Sequence, residues 1–421
     1  NYCDFNSIFN YSHFKEYIKK ENPDGCVFTY TGFHPHMLQN TNYAYVKKNQ
    51  NSVIDIQEKK PFTNKPMEEE VSSGTYFFKD GGTMLNYFKQ SVALNLNVKG
   101  EYYVSMAYKP MIANRLKINT FLIDYFMQWG TPSDLEEFNW YSDIFKEIQN
   151  KSNDINPPRD GCLIMPMAGK GSRFLRMGYK IPKPFIKVSG QDMFLKALSD
   201  LPRMQNTQLI TRKEIIKDYN PLSAFKKNDI NIKIKVLEKM TEGQTDTCLQ
   251  GMQDKDKNLN KELTISACDM GMIYDQKKLE KLLESEKVDI LVWGCKGYPA
   301  AKKKPSDFSW IYAKDQLINN ISVKSNLKDP LKDYLLIGTF TFKKAADFIK
   351  STKHCIAMKK KVNDEYYVDE VINICIEQGL KVVLFEIDYF ICWGTPNELL
   401  TYSYWEDCFD QWSEHPFKKI K

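Results

Sequence analysis

A ten-residue segment, Ile123-Asp124-Tyr125-Phe126-Met127-Gln128-Trp129-Gly130-Thr131-Pro132, recurs as Ile387-Asp388-Tyr389-Phe390-Ile391-Cys392-Trp393-Gly394-Thr395-Pro396. At the displacement that carries Asp124 onto Asp388, Glu101-Tyr102-Tyr103-Val104 also falls on Glu365-Tyr366-Tyr367-Val368. Gly74-Thr75 falls on Gly338-Thr339, Lys60 on Lys324 and Pro35 on Pro299. Separated anchors in one order at one displacement mark tandem copies of one domain, which a lone Trp-Gly-Thr-Pro would not.

The second copy extends upstream of its matched part from about Gly161 to Asp269, and the first has no counterpart to that stretch. Residues 1–150 therefore read as the C-terminal half of a first domain and 161–415 as a complete domain. Between them 151–160 is polar, carries a Pro-Pro pair and reads as a linker. A half-domain is expected to leave one side of its sheet uncovered, which calls for a missing N-terminal piece or a partner.

The composition narrows the class. Hydrophobic residues make up 42% of the 421 and charged residues 27%, enough for packed cores and too little polarity for extensive disorder. Apolar runs stop well short of a membrane span: Val382 to Trp393 is broken by Glu386 and Asp388. The net charge of +6 is mild and interspersed, which argues against nucleic acid and admits an anionic small substrate. The ten cysteines form no CxxC, so neither a disulfide scaffold nor a zinc site is expected and a cytoplasmic setting fits. The five histidines suggest no triad.

In the second copy short apolar runs alternate with helical spacing. Cys162 to Met165 is followed by a Gly-containing loop and a helix from Asp192 to Leu201, and further runs lie at Thr207 to Thr211, Ile232 to Leu237, Leu263 to Ala267 and Ile290 to Trp293. This alternation predicts an α/β fold with a mixed, mostly parallel sheet flanked by helices.

The first run ends in Pro166-Met167-Ala168-Gly169-Lys170-Gly171-Ser172-Arg173-Phe174, followed by Pro182-Lys183-Pro184. Two glycines in a strand-to-helix loop let backbone N–H groups approach an anion closely. The loop is not a Walker A motif and lacks the third glycine of the dinucleotide fingerprint.

This loop, with its Pro-Lys-Pro, resembles the signature of the sugar-nucleotide pyrophosphorylases, a family of nucleotidyltransferases. The family's other landmarks follow in order: Thr241-Glu242-Gly243-Gln244, then Cys268-Asp269-Met270, Lys324, Gly338, Glu365 and the Gly394-Thr395-Pro396 turn. The likeness spans Gly161 to about Trp412, and in the first copy Asn1 to about Ile148.

The resemblance implies a GT-A-like, Rossmann-type domain in tandem. It also implies transfer of NMP from a nucleoside triphosphate to a phosphorylated sugar or small phosphorylated alcohol with release of pyrophosphate, in a cell supplying nucleotide-sugar or polysaccharide precursors. By the same resemblance Arg173 and Lys183 are catalytic cations, and Ala168, Gly169, Gly171, Ser172 and Gln244 bind the nucleotide. Lys324, Gly338 and Glu365 line the acceptor pocket, and Asp269 with Asp388 holds Mg²⁺. A homo-oligomer is left open.

Two departures stand out. Cys392 and Trp393 stand where many members place a second metal carboxylate, which makes Asp388 the nearest candidate, and the Glu58-Lys59-Lys60-Pro61 of the first copy becomes Val323-Lys324-Ser325 in the second. Each residue also has a plainer reading: Asp269 as a turn cap, Asp388 as a structural carboxylate, Trp129 and Trp393 as core aromatics, and Lys302-Lys303-Lys304 and Lys359-Lys360-Lys361 as solvated loops. Two other functions compete. A GT-A glycosyltransferase would want an Asp-x-Asp where Cys268-Asp269-Met270-Gly271-Met272 offers one carboxylate, and a non-catalytic sensor or assembly subunit would tolerate the change at Cys392.

Overall fold

A computed structural model describes residues 2–150, 157–221, 231–252, 259–322, 332–413 and 415. The chain divides into two compact units, Asn1–Ser142 with Tyr404–Lys421, and Asp143–Ser403. No helix among the described residues is long and apolar enough to cross a membrane.

The first unit contains β1 (Phe5–Ile8), β2 (Gly25–Tyr30), β3 (Ala44–Asn49), β4 (Ser52–Glu58), β5 (Glu70–Phe78), β6 (Ile118–Leu122) and β7 (Tyr125–Gln128). Strands β2, β5, β3, β4 and β6 close into a ring, and β1 pairs with β7. Closure leaves this ring of strands with little open edge. Two apolar clusters fill the unit, one around Phe14, Phe28, Phe121 and Phe126, the other around Val27, Ile56, Tyr108 and Met111.

The second unit contains β8 (Arg159–Pro166), β9 (Lys187–Val188), β10 (Gln191–Asp192), β11 (Met204–Arg212), β12 (Asn231–Leu237), β13 (Glu262–Ser266) and β14 (Met270–Ile273). It continues with β15 (Ile290–Cys295), β16 (Trp310–Lys314), β17 (Leu317–Ser322), β18 (Tyr334–Phe342), β19 (Val382–Glu386) and β20 (Tyr389–Cys392). Nine of these form one sheet in the order β12-β11-β8-β13-β18-β15-β19-β17-β16, with β18 also paired to β16. Pairing is parallel across β12, β11, β8 and β13, and antiparallel from β13 to β18 and from β18 to β15. The fold is therefore the mixed α/β sheet that the alternating pattern predicts, although beyond β13 only β15 and β19 pair in parallel, so less of the sheet is parallel than the expected mostly parallel one. The strand begins at Arg159, inside the segment expected to be a linker.

Within the parallel part the chain runs β8, then outward to β11 and β12, then back across β8 to β13. The direction of winding thus reverses between β8 and β13, and a crevice opens at the carboxyl ends of those two strands.

The two units share hydrogen bonds as well as letters. Lys117 N–H donates to the Asp24 carboxylate at 2.9 Å, and Lys381 N–H to the Asp289 carboxylate at 2.8 Å. Trp129 N–H donates to the Asp4 carbonyl at 2.9 Å and Trp393 N–H to the Asp269 carbonyl at 2.8 Å. Phe5 lies opposite Gln128, as Met270 lies opposite Cys392. The ring of β2, β5, β3, β4 and β6 is matched by β15, β18, β16, β17 and β19. One difference is that β18 takes β13 as a further neighbour along Thr339 to Phe342. Among the described residues no strand occupies that place beside β5, and Tyr76 to Phe78 are half-buried where Phe340 to Phe342 are buried.

His34, in the first unit, is buried with its Nδ1 3.4 Å from the Gly32 carbonyl oxygen, and its Nε2 has no partner among the described residues. Burial lowers its pKa from 6.5 to about 4. Between those values the unfolded chain takes up a proton that the folded chain refuses, so the contribution of His34 to stability falls as pH drops from 6.5 to 4 and is constant outside that window. The loss is expected to be about 3 kcal/mol, at 1.36 kcal/mol per pKa unit. Urea unfolding of the wild type against His34→Phe at pH 7 and pH 4.5 checks it, since the variant should lack this component of the pH dependence.

Candidate functional site

The site is built on the carboxyl ends of β8 and β13. Leu163, Ile164 and Met165 bury β8 in the sheet, and Met167 N–H continues the pairing by donating to the Ile210 carbonyl at 2.6 Å. Arg212 Nε donates to the Ala168 carbonyl at 2.6 Å, which pins the start of the loop. Gly169 and Lys170 are then exposed, and Gly171 turns the chain at φ 62°. A side chain at Gly171 would be strained by that φ, and its Cβ would stand 3.1 Å from the Cβ of Lys183. The glycine thus lets the Pro182-Lys183-Pro184 segment lie directly against the loop.

Phe174 is buried beneath this contact, and the Lys183 ammonium sits 5.5 Å from the centre of its ring. Lys183 Nζ donates to the Asp269 carboxylate and, at 3.1 Å, to the Gly394 carbonyl. Burial works against the ammonium, but the Asp269 carboxylate beside it prevails and holds the Lys183 pKa above the ordinary lysine value. Lys183 is therefore charged at neutral pH.

The opposite wall depends on a close backbone contact. A Cβ at Gly243 (φ 133°) would stand 2.5 Å from Tyr366 N and 2.6 Å from Tyr366 O, so only glycine fits. Tyr366 N–H donates to the Glu242 carbonyl at 2.8 Å and Thr245 N–H to the Tyr366 carbonyl at 3.1 Å. This clamp brings Gln244, the first residue of the helix Gln244–Gly251, and Glu365 to one wall. At the far end of that helix a Cβ on Gly251 would fall 2.1 Å from Ile210 Cδ1, so glycine seats the helix tightly on β11.

These walls enclose an open cavity of about 500 Å³ lined by Ala168, Gly169, Gly171, Ser172, Arg173, Lys183, Gln244 and Glu365. Eight of the sequence-derived site residues thus meet at one cavity, and Asp269 joins them through Lys183. The cavity also takes in Lys170, Thr241 and Gly394, which the sequence reading quoted within its motifs without giving them a role, and Met240 and Thr247, which it did not mention.

Three other expectations fare differently. Lys324 lies outside the described residues. Gly338 (φ 75°) is not on the cavity wall: a Cβ there would meet Met270 Cε at 3.2 Å, so its place is against β14. Asp388 is not brought to Asp269. Its N–H donates to Ile273 at one end of the β14–β20 pair, whereas Asp269 meets Trp393 at the other. The pair spans four residues, roughly 13 Å at 3.3 Å per residue. The charges near Asp388 are Lys278, Asp275, Glu147 and Glu386, and burial raises its pKa. The expectation that Asp388 shares a metal with Asp269 is thereby corrected.

What does stand near Asp269 is Glu398, in the first turn of the helix Pro396–Gln411. Burial raises its pKa, and the Thr395 hydroxyl and Cys392 thiol bond its carboxyl group. Trp393, as its plainer reading held, is a fully buried core residue.

No family model matches the chain. Among solved structures it is similar to a nucleoside-diphosphate-sugar pyrophosphorylase from Vibrio cholerae RC9, at 18% identity over 57% of this chain and 98% of that one, with a TM-score of 0.44. It is similar to the inositol-1-phosphate CTP transferase from T. maritima at 14% identity over 60% of this chain and 98% of that one, TM-score 0.43. A UDP-glucose pyrophosphorylase complexed with UDP-glucose is similar at 14% identity over 59% of this chain and 100% of that one, TM-score 0.45.

Proposed function

We propose that the second unit is a nucleotidyltransferase that moves NMP from a nucleoside triphosphate to a phosphorylated sugar or small phosphorylated alcohol. The observation that carries the reading is the meeting of the Gly169–Arg173 loop, Lys183 and Asp269 where the winding of the sheet reverses. Backbone N–H groups of the loop suit a nucleotide anion, and Gln244 with the Ala168 backbone suits a base edge. Arg173, exposed at the cavity, has the forked donors that hold phosphate oxygens.

In the reaction an acceptor phosphate oxygen attacks the α-phosphorus and forms a new P–O bond. The bond from that phosphorus to the bridging oxygen breaks, and pyrophosphate leaves with the electron pair. Lys183 is placed to neutralise charge that builds on the α-phosphate. Glu365 offers an acceptor for the hydroxyls of the second substrate.

The donor set fits Mg²⁺. A hard carboxylate stands at a strand's carboxyl end, and no group of three or more His, Cys, Asp or Glu placed to hold a metal ion by themselves occurs among the described residues. Magnesium takes one or two carboxylates and fills its shell with phosphate oxygens and water. Bound there, it would supply charge stabilisation to the phosphates.

The same reading treats residues 1–150 as the acceptor-type half of a second copy and 161–415 as the complete domain, with the linker of 151–160 ending where β8 begins at Arg159. The shared hydrogen bonds of the two units support it.

The test is pyrophosphate release when the full chain is mixed with Mg²⁺, each of the four nucleoside triphosphates and a panel of phosphorylated sugars and alcohols. Arg173→Ala is expected to lower kcat/KM about 10²- to 10³-fold, with the melting temperature unchanged. Absence of release across the whole panel would sink the proposal.

A further inference from the structure

We propose that Glu398 is the second carboxylate of the cation site at Asp269, delivered from the helix that follows the Gly394-Thr395-Pro396 turn. It would replace a carboxylate at position 392. The inference deepens the nucleotidyl-transfer reading and rests on it.

The geometry converges on Gly394. A Cβ built there would stand 3.2 Å from Asp269 Oδ2, 3.3 Å from Cys392 Sγ and 3.6 Å from Glu398 Oε2. Glycine therefore leaves a small cradle faced by two carboxylate oxygens and one sulfur. The thiol is a soft ligand and a poor one for magnesium, so the two oxygens are the donors that suit it. Glu398 is held in place from behind, because its own N–H donates to Thr395 Oγ1 at 3.3 Å. Two half-buried carboxylates side by side repel each other unless a cation stands between them. Lys183 supplies one at present through Asp269, and it is the group needed at the phosphate.

The first unit provides a contrast within the same chain. Gly130 corresponds to Gly394, and a Cβ there would stand 2.8 Å from both Asp4 Oδ2 and Gln128 Nε2. Gln128, at the position of Cys392, thus presents its amide nitrogen to the same small space as the Asp4 carboxylate, and an N–H donor has nothing to offer a cation. Asp134, at the position of Glu398, accepts from the Thr131 hydroxyl at 2.6 Å. The cradle of the second unit suits a metal ion, and that of the first does not.

The test is titration of the full chain with Mn²⁺ alone, following the free ion by electron paramagnetic resonance. The wild type should bind, Glu398→Gln should bind at least about tenfold more weakly, and Cys392→Asp added to Glu398→Gln should recover affinity to within about threefold. Asp4→Asn should bind as the wild type does. Circular dichroism melts confirm that each variant is folded. The proposal is overturned if the wild type binds no Mn²⁺, if Glu398→Gln binds as well as wild type, or if Cys392→Asp fails to restore binding. Pyrophosphate release by a protein that binds no Mn²⁺ would sink this inference and leave the reaction class standing. The expected Mn²⁺ series in a protein that releases no pyrophosphate would do the reverse.

Discussion

Replacing Lys183 by methionine is expected to lower kcat/KM for pyrophosphate release by at least about 10³-fold, the loss typical of removing a preorganised group from a developing oxyanion. Methionine keeps much of the stem that rests on Phe174 and removes the charge. The ammonium now spans Asp269 and the Gly394 carbonyl, so its loss also leaves the Asp269 carboxylate without its cation. Two readouts separate these effects. Steady-state kinetics reports the catalytic loss, and thermal unfolding reports the cost of the unpaired carboxylate, which should shrink in Lys183→Met with Asp269→Asn. Turnover within tenfold of wild type in the single variant would contradict the role given to Lys183.

Gly243→Ala is expected to produce the largest change in stability, a loss of about 3 to 5 kcal/mol. The new Cβ meets backbone atoms of Tyr366 at 2.5 and 2.6 Å, and neither is the flexible end of a side chain that can move aside. The backbone at φ 133° adds strain for any residue with a Cβ. Differential scanning calorimetry should show an apparent Tm lower by roughly 5 to 10 °C. Because the Glu242–Tyr366 clamp positions Gln244 and Glu365 together, nucleotide and acceptor should both bind more weakly. An equal substitution at Gly178, where a Cβ would meet nothing within 4 Å, separates the clash from the loss of glycine as such, since its φ of 85° carries strain alone.

The parts of the site carried by local chemistry were legible in the sequence. A two-glycine loop at a strand end, a lysine flanked by prolines and an aspartate after an apolar run each announce themselves within a few residues. The alternation of apolar runs with helical spacing likewise pointed to the parallel strands that bring β8 and β13 side by side.

What could not be read depended on which end of a strand faces the crevice. Asp388 and Cys392 are close in sequence, but a strand carries its two ends apart, so the nearer carboxylate in sequence is the farther one in space. Glu398 was passed over for the converse reason: a tight turn and the first turn of a helix fold it back toward Asp269. Asp4 was hidden by a one-residue slip. The displacement that carries Asp124 onto Asp388 carries Asp4 onto Cys268, and only the paired bonds from Trp129 and Trp393 show that its partner is Asp269. Gly338 was recognisable as an invariant of the repeat's spacing, but the contact it makes, with Met270, is a packing contact that spacing does not reveal.

The strand β18 belongs at once to the parallel sheet, through β13, and to the closed ring, through β15 and β16. Two lobes joined by a flexible linker can swing together over a substrate. Two halves that share a nine-residue strand paired on both sides have no such hinge. On the proposed nucleotidyl-transfer reading, nucleotide and acceptor would be gathered by the loops at the strand ends, chiefly the Gly169–Arg173 segment, or by a change of twist running through β18.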